Sequence, residues 1–152
     1  MICGNILLYT SVSAMQQQAD EIIHILKGKG LRVTPQRFAV YANLLTRKDH
    51  PTVEQILNDL NKDVPTSSQA TVYSALQALR EVGLVKEVLL EEGVSRYDAN
   101  ISQHHHFRCT HCGAIEDIHW DTFQCIDLGK LRPGLKAEKY ELTVQGICDN
   151  CQ

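Results

Sequence analysis

The chain lacks several features that would classify it at once. It has no excess of positive charge: 15 Lys and Arg stand against 18 Asp and Glu, a net charge of −3. That excludes a protein that coats nucleic acid through bulk charge, though not a local sequence-reading surface. No apolar run approaches the roughly 18 residues of a membrane-spanning helix. Cysteine is too sparse for a disulfide scaffold: there are six in 152 residues. Four of these sit in Cys-x-x-Cys pairs, which fits a reducing cytoplasm and a bound metal. Residues 1–14 carry no charge at all, and so lack the basic start of a secretory signal. Residues 1–15 are expected to be a floppy extension, or to precede a true start at Met15. Proline is scarce too, and each of the 4 falls where the pattern changes.

What is present begins as helices. Ala19, Ile22, Ile23 and Leu26 recur at three and four residues, and Gly28 and Gly30 end that run. Thr34-Pro35 opens a second helix, with Thr as N-cap and Pro at the first helical position; Phe38, Tyr41, Leu44 and Leu45 form its apolar face. His50-Pro51 breaks it. Thr52 and Gln55 form a capping box for a third helix with Val53, Ile56, Leu57 and Leu60 inward, and Pro65 ends that segment.

The fourth helix, from about Ser68 to Val82, carries information on both faces. Val72, Ala75, Leu76, Leu79 and Val82 share one side. The other shows Ala70, Thr71, Tyr73, Ser74 and Gln77, a nearly uncharged face of hydroxyls and amides that suits base edges and thymine methyls in a major groove. Leu84 to Leu90 and Val94 to Tyr97 read as two strands after Gly83. Helices followed by a β-hairpin are the order of a winged helix-turn-helix. Residues 1–83 hold 8 basic and 7 acidic side chains, and the remainder 7 and 11, so the front half is less hostile to phosphate. Arg32, Arg37, Lys62 and Arg80 are its candidate backbone contacts.

The expected organisation is a winged helix over 16–98, a hinge over 99–103, and a small α/β domain over 104–152. In the last, strands flank Cys109 and Cys112, Asp121 caps a short helix through about Leu131, and Lys139 to Gln145 alternates as a half-buried strand. An unpaired edge in so small a sheet invites pairing with a second copy. The fold class is thus mixed α/β (α+β).

Two clusters carry the chemistry. Cys109, Cys112, Cys148 and Cys151 supply four thiolates from two knuckles, the pattern of a structural zinc rather than of a pair of redox motifs. Cys3 and Cys125 read as a free thiol or a small apolar filler. The candidates for a second site are His104, His106, Asp98, Asp117 and, from the front half, His50. His104 and His106 share a strand face while His105 points away. His111, inside the knuckle, and His119 are set aside as ligands. Imidazole and carboxylate without thiolate suit Fe(II), Mn(II), Co(II) or Zn(II).

Thr34-Pro-Gln-Arg37, His50-Pro-Thr52, Ala70-Thr-Val-Tyr73, Gly83-Leu-Val85, Ser95-Arg-Tyr-Asp98, His104-x-His106 and the two Cys-x-x-Cys pairs, in that order, resemble the ferric uptake regulator family over residues 16–151. The resemblance implies a cytoplasmic, homodimeric repressor of palindromic operator DNA, with one structural zinc per chain and one regulatory Fe(II) or Mn(II) at the hinge. Asp at both carboxylate positions is similar to the peroxide-sensing members, where iron and zinc sensors usually carry Glu. That implies hydrogen peroxide as signal and His50 or His104 as the residue oxidised. Gln103, His105 and Tyr140 stand where iron sensors hold a further site. Glu116, beside Asp117, would change the subfamily reading if the register shifted by one. An iron- or zinc-responsive repressor of the same family is the alternative. A non-haem iron enzyme is the remote one, since the front half holds a helix-turn-helix rather than a substrate pocket.

Overall fold

The computed structural model describes residues 6–65, 67–91, 93–123 and 126–152. Cys3 and Cys125 therefore lie outside the described residues. The first helix, α1, spans Ile6–Gly28 and so begins well before Gln16, where the sequence pattern places its start. Among its inward side chains, Ile22 and Leu26 are buried.

Helices α2 (Pro35–Thr46), α3 (Val53–Leu60) and α4 (Gln69–Glu81) begin where the capping residues place them. Thr34 Oγ1 accepts from the Arg37 N–H at 3.2 Å, and Ser68 Oγ accepts from the Thr71 N–H at 3.2 Å. Thr52 and Gln55 form the reciprocal box at 2.9 and 3.3 Å. Each cap satisfies an amide that would otherwise be orphaned, and replacing one by Ala typically costs about 1 kcal/mol. The 3.6-residue apolar rows then converge: Val40, Tyr41 and Leu44 of α2, Val53 and Ile56 of α3, and Val72, Ala75, Leu76 and Leu79 of α4 form one core with Leu84, Val85 and Tyr97. Truncating one of the fully buried leucines, such as Leu76, would cost ~2–5 kcal/mol.

Strands β1 (Lys86–Glu91) and β2 (Val94–Asp98) form the antiparallel wing, with Lys86 opposite Asp98. A further bridge joins Thr52 to Arg96, and the Tyr97 N–H donates to the Pro51 carbonyl at 3.0 Å. The turn carrying His50 is thereby laced to the strand that ends in Asp98.

A second sheet follows, in the order β4-β3-β5, from β3 (His104–Cys109), β4 (Ile115–His119) and β5 (Thr143–Gly146). β4 returns antiparallel from the knuckle; β5 runs parallel to β3, which requires the long connection between them. Two expectations are corrected here. Among the described residues of 120–131 there are two short 3₁₀ turns, Trp120–Phe123 and Leu128–Lys130, and 126–127 are not helical, so the expected helix does not run through to Leu131. Asp127 accepts from the Gly129 N–H at 2.9 Å, a local bond that competes with helix formation. The last strand is Thr143–Gly146 alone, because Lys139 to Leu142 leave the ladder, although the Leu142 carbonyl still accepts from the His106 N–H at 2.9 Å. Among the described residues no helix is long and apolar enough to cross a membrane.

Candidate metal centres and nucleic-acid face

The thiol cluster is built by β3 and its neighbours. Cys109 ends β3, Cys112 follows in a turn that Gly113 permits at φ 73°, and Cys148 and Cys151 bracket the last 3₁₀ turn, Asp149–Cys151. The four Sγ atoms lie within 4.8 Å of one another, with Cys112 and Cys148 3.7 Å apart. Backbone N–H groups of Cys112 and Cys148 pull the Cys109 thiol down to about 6. The Cys112 and Cys148 thiols push Cys151 up to about 12. One anion is favoured and a second is opposed, so four thiolates require a cation among them. A tetrahedral ion such as zinc fits that donor set.

The second cluster assembles side chains from both sheets. His50 lies at φ 50°, in the left-handed region where a non-glycine residue is strained. Its ring is buried. β3 presents His104 and His106 on one face, with His106 directly opposite Asp117 in the ladder. Glu116 pairs with Phe107 instead, one residue out of phase. Ligand atoms of His50, His104, His106 and Asp117 lie within 4.8 Å of one another. Asp98 stands at the edge of this group, its Oδ2 3.5 Å from His50 Nε2 and 3.2 Å from His104 Nε2.

The electrostatics call for a cation here too. His50 Nδ1 and Nε2 and Asp98 Oδ2 are buried without a hydrogen bond. Burial pushes the Asp98 carboxyl up, but the His50 ring and the Asn100 N–H outweigh it and hold it below the ordinary value. His106 is driven down to about 4, first by burial and then by the neighbouring His50 and His104 rings. A neutral imidazole is the form that binds metal. His104 Nδ1 lies 2.9 Å from the Ser102 carbonyl, which can only accept, so the ring proton sits on Nδ1 and the Nε2 lone pair faces the cluster. Orphaned buried donors of this kind fit a bound Fe(II), Mn(II), Co(II) or Zn(II).

Sequence patterns did not point to two neighbours. Lys86 Nζ lies 3.3 Å from His104 Nδ1 and 3.6 Å from Asp98 Oδ2. Since Nδ1 holds its proton for Ser102, Lys86 acts on the ring by charge. Asn100, between β2 and β3, contacts both carboxylates. Of the histidines set aside, His105 is 0% exposed on the opposite face of β3, enclosed by Trp120, Phe123 and Tyr140, with Nδ1 accepting from the Leu142 N–H at 3.3 Å. His119 is exposed beside Asp121, and His111 is exposed in the knuckle.

On α4, Ala70, Tyr73, Ser74 and Gln77 are exposed, Tyr73 at 49%. Thr71 is half-buried, and its hydroxyl is engaged by Ser68 at 2.8 Å. A groove of about 400 Å³ between the starts of α2 and α4 is lined by Gln36, Arg37, Ala70, Thr71 and Ser74. Arg37 Nη1 donates to the Arg32 carbonyl at 2.9 Å. Arg80 turns the other way and pairs with Glu87 at 2.7 Å.

A winged helix with an imidazole-carboxylate cluster beside it, joined to a sheet with four clustered thiols, is the architecture of a metal-responsive regulator, and the comparisons with known proteins assign the chain to that class. The ferric uptake regulator family matches residues 28–145 of the chain. The peroxide-responsive repressor PerR of Staphylococcus aureus is 31% identical over 142 residues, spanning 93% of this chain and 96% of that one. Among solved structures, the Campylobacter jejuni peroxide stress regulator is 29% identical, with a TM-score of 0.64 over 85% of this chain and 98% of the other. A zinc uptake regulator complexed with zinc and DNA is 25% identical, with a TM-score of 0.64 over 90% and 93%. The iron-bound ferric uptake regulator of Francisella tularensis shares the fold, with a TM-score of 0.69 at 22% identity over 80% and 95%. The chain belongs to the ferric uptake regulator family, and is a metal-responsive transcriptional repressor within it.

Proposed function

We propose that this chain is a peroxide-responsive repressor that binds palindromic operator DNA as a cytoplasmic homodimer. Cys109, Cys112, Cys148 and Cys151 would hold a structural zinc, and His50, Asp98, His104, His106 and Asp117 a regulatory Fe(II) or Mn(II). The carrying observation is that the second cluster draws His50 and Asp98 from the winged helix and His104, His106 and Asp117 from the second sheet. An ion bound by all five would hold the two parts in one arrangement, and its loss would release them. Ala70, Thr71, Tyr73, Ser74 and Gln77 are the proposed base-reading face, with Arg37 on phosphate. The ion pair with Glu87 makes Arg80 a weaker candidate for phosphate than Arg37.

Two short carboxylates and three imidazoles leave room at a six-coordinate ion. Ferrous iron supplies there the one-electron chemistry that activates hydrogen peroxide. His50 and His104 would be the recipients: a ring carbon gains one peroxide oxygen and the other leaves as water. His104 Nε2 lies 3.4 Å from Asp117 Oδ1, and Asp117 is the most exposed member of the cluster at 34%, so this flank is where a small oxidant arrives. An oxidised ring is a poorer donor, and DNA affinity falls with the metal.

Peptide mass spectrometry after brief peroxide exposure of the iron-loaded protein tests this. One added oxygen on the His50 or His104 peptide, with Cys109 and Cys148 unmodified, is expected. Disulfides at the cysteines beside intact histidines would reverse the assigned roles. Intact histidines and cysteines, with DNA binding set by iron or zinc alone, would support the metal-sensing reading instead.

A further inference from the structure

Asn100 touches both carboxylates of the second cluster. Its backbone N–H donates to Asp98 Oδ1 at 2.7 Å, and its side-chain Nδ2 donates to Asp117 Oδ2 at 3.1 Å. The amide is itself oriented, because Asn100 Oδ1 accepts from the Ser102 N–H at 3.3 Å and from the Ser102 hydroxyl. With the oxygen end held by two donors, the nitrogen end is the one that meets Asp117. The remaining carboxylate oxygens face the imidazoles: Asp98 Oδ2 is 3.2 Å from His104 Nε2, and Asp117 Oδ1 is 3.0 Å from His50 Nε2. Each acid thus has one oxygen engaged and one turned to the cluster.

We propose that Asn100 is a positioning residue that makes Asp98 and Asp117 single-oxygen ligands, and so limits the number of donors the regulatory centre offers. The inference rests on the assignment of that centre to a metal made above. Three imidazoles and two single oxygens are five donors. A carboxylate free to turn offers both of its oxygens, and the sixth position then closes to a small oxidant. Partners outside the ligand sphere commonly change metal affinity by about 10–100-fold, because they decide how a ligand is presented. Asn100 would do this for two ligands at once, one from each part of the chain.

The backbone bond to Asp98 survives Asn100→Ala, so that variant releases Asp117 alone. The test titrates zinc-loaded, full-length protein with Co(II), whose visible absorption weakens as five donors become six. Asn100→Ala is expected to lower that absorption at saturation and to shift Co(II) affinity roughly tenfold. Ser102→Ala, which removes the hydroxyl but keeps the Ser102 N–H on Asn100 Oδ1, should move both in the same direction by less. Iron-loaded Asn100→Ala should also acquire peroxide-derived oxygen more slowly. An Asn100→Ala spectrum and affinity equal to wild type would overturn the proposal. If Asn100→Ala does not fold, the near-isosteric Asn100→Leu, which also lacks the Nδ2 donor to Asp117, takes its place, and a spectrum and affinity equal to wild type overturn the proposal. A wild-type Co(II) spectrum that survives His104→Ala would place the ion elsewhere, and the underlying assignment would fail instead.

Discussion

His50 Nε2 lies 3.0 Å from Asp117 Oδ1, although 66 positions separate the two residues and they belong to different structural units. The turn at His50 is fixed from behind, where Pro51 and Thr52 bond to β2. Asp117 is fixed from its own side, opposite His106 in the β3–β4 ladder. Neither residue reaches the other through its own element. A cation bound between them would therefore report on how the two units are placed, which is the property the proposed metal-dependent repressor needs.

The thiol clasp should decide the fate of the second sheet. If the clasp holds one zinc per chain as proposed, Cys109→Ser or Cys148→Ser is expected to lose it, and the proposed dimer with it. A sheet of three short strands buries too little to stand alone, and metal binding there is folding energy. Metal analysis with size-exclusion chromatography checks this; a zinc-free variant that elutes as a folded dimer would disprove it.

On α4, Tyr73→Ala should weaken specific DNA binding more than binding to random sequence, because Tyr73 stands on the proposed base-reading face. Arg37→Ala, beside the groove at the start of α2, should weaken both and flatten the salt dependence by about one unit of slope. Fluorescence anisotropy over a salt series separates these cases. Equal losses on both DNAs for Tyr73→Ala would move the recognition face elsewhere.

Lys86 places a fixed positive charge beside His104 and Asp98. A cation so close opposes entry of a divalent ion, even with the screening of a partly exposed site. Lys86→Met should therefore bind Mn(II) roughly tenfold more tightly, whereas Lys86→Arg should resemble wild type. Competition against a fluorescent chelator measures both. Tighter binding in the arginine variant as well would show that loosened packing, not charge, is responsible.

Acid should destabilise the metal-free protein through His106. Its folded value of about 4 lies below the ordinary 6.5. The unfolded chain then binds the extra proton between these two values. The stability from keeping His106 neutral is present above pH 6.5 and is lost as pH falls towards 4. Thermal melts of chelator-treated protein at pH 7.5 and 5 should show a lower Tm at the acid value. His106→Phe should shrink that difference, and an unchanged difference would assign the acid lability to other groups.

Local rules in the sequence determined a good deal by themselves. Thr34, Thr52 and Ser68 placed three helix starts because a capping hydroxyl acts within its own turn. Paired spacing identified Cys109, Cys112, Cys148 and Cys151, and strand parity separated His105 from His104 and His106. The alternation of Tyr140, Leu142 and Val144 nonetheless overstated the last strand, since a strand exists only where a partner offers its backbone. The helix expected after Asp121 gave way to 3₁₀ turns because Asp127 bonds to Gly129 locally. Only the tertiary structure set the distances within the cluster, with His50 on Asp117 and Asp98 at its edge, turned Arg80 onto Glu87, and set Lys86 and Asn100 beside the carboxylates. These relations join residues far apart in the chain, and their distances depend on the packing of whole elements, which no short-range pattern records.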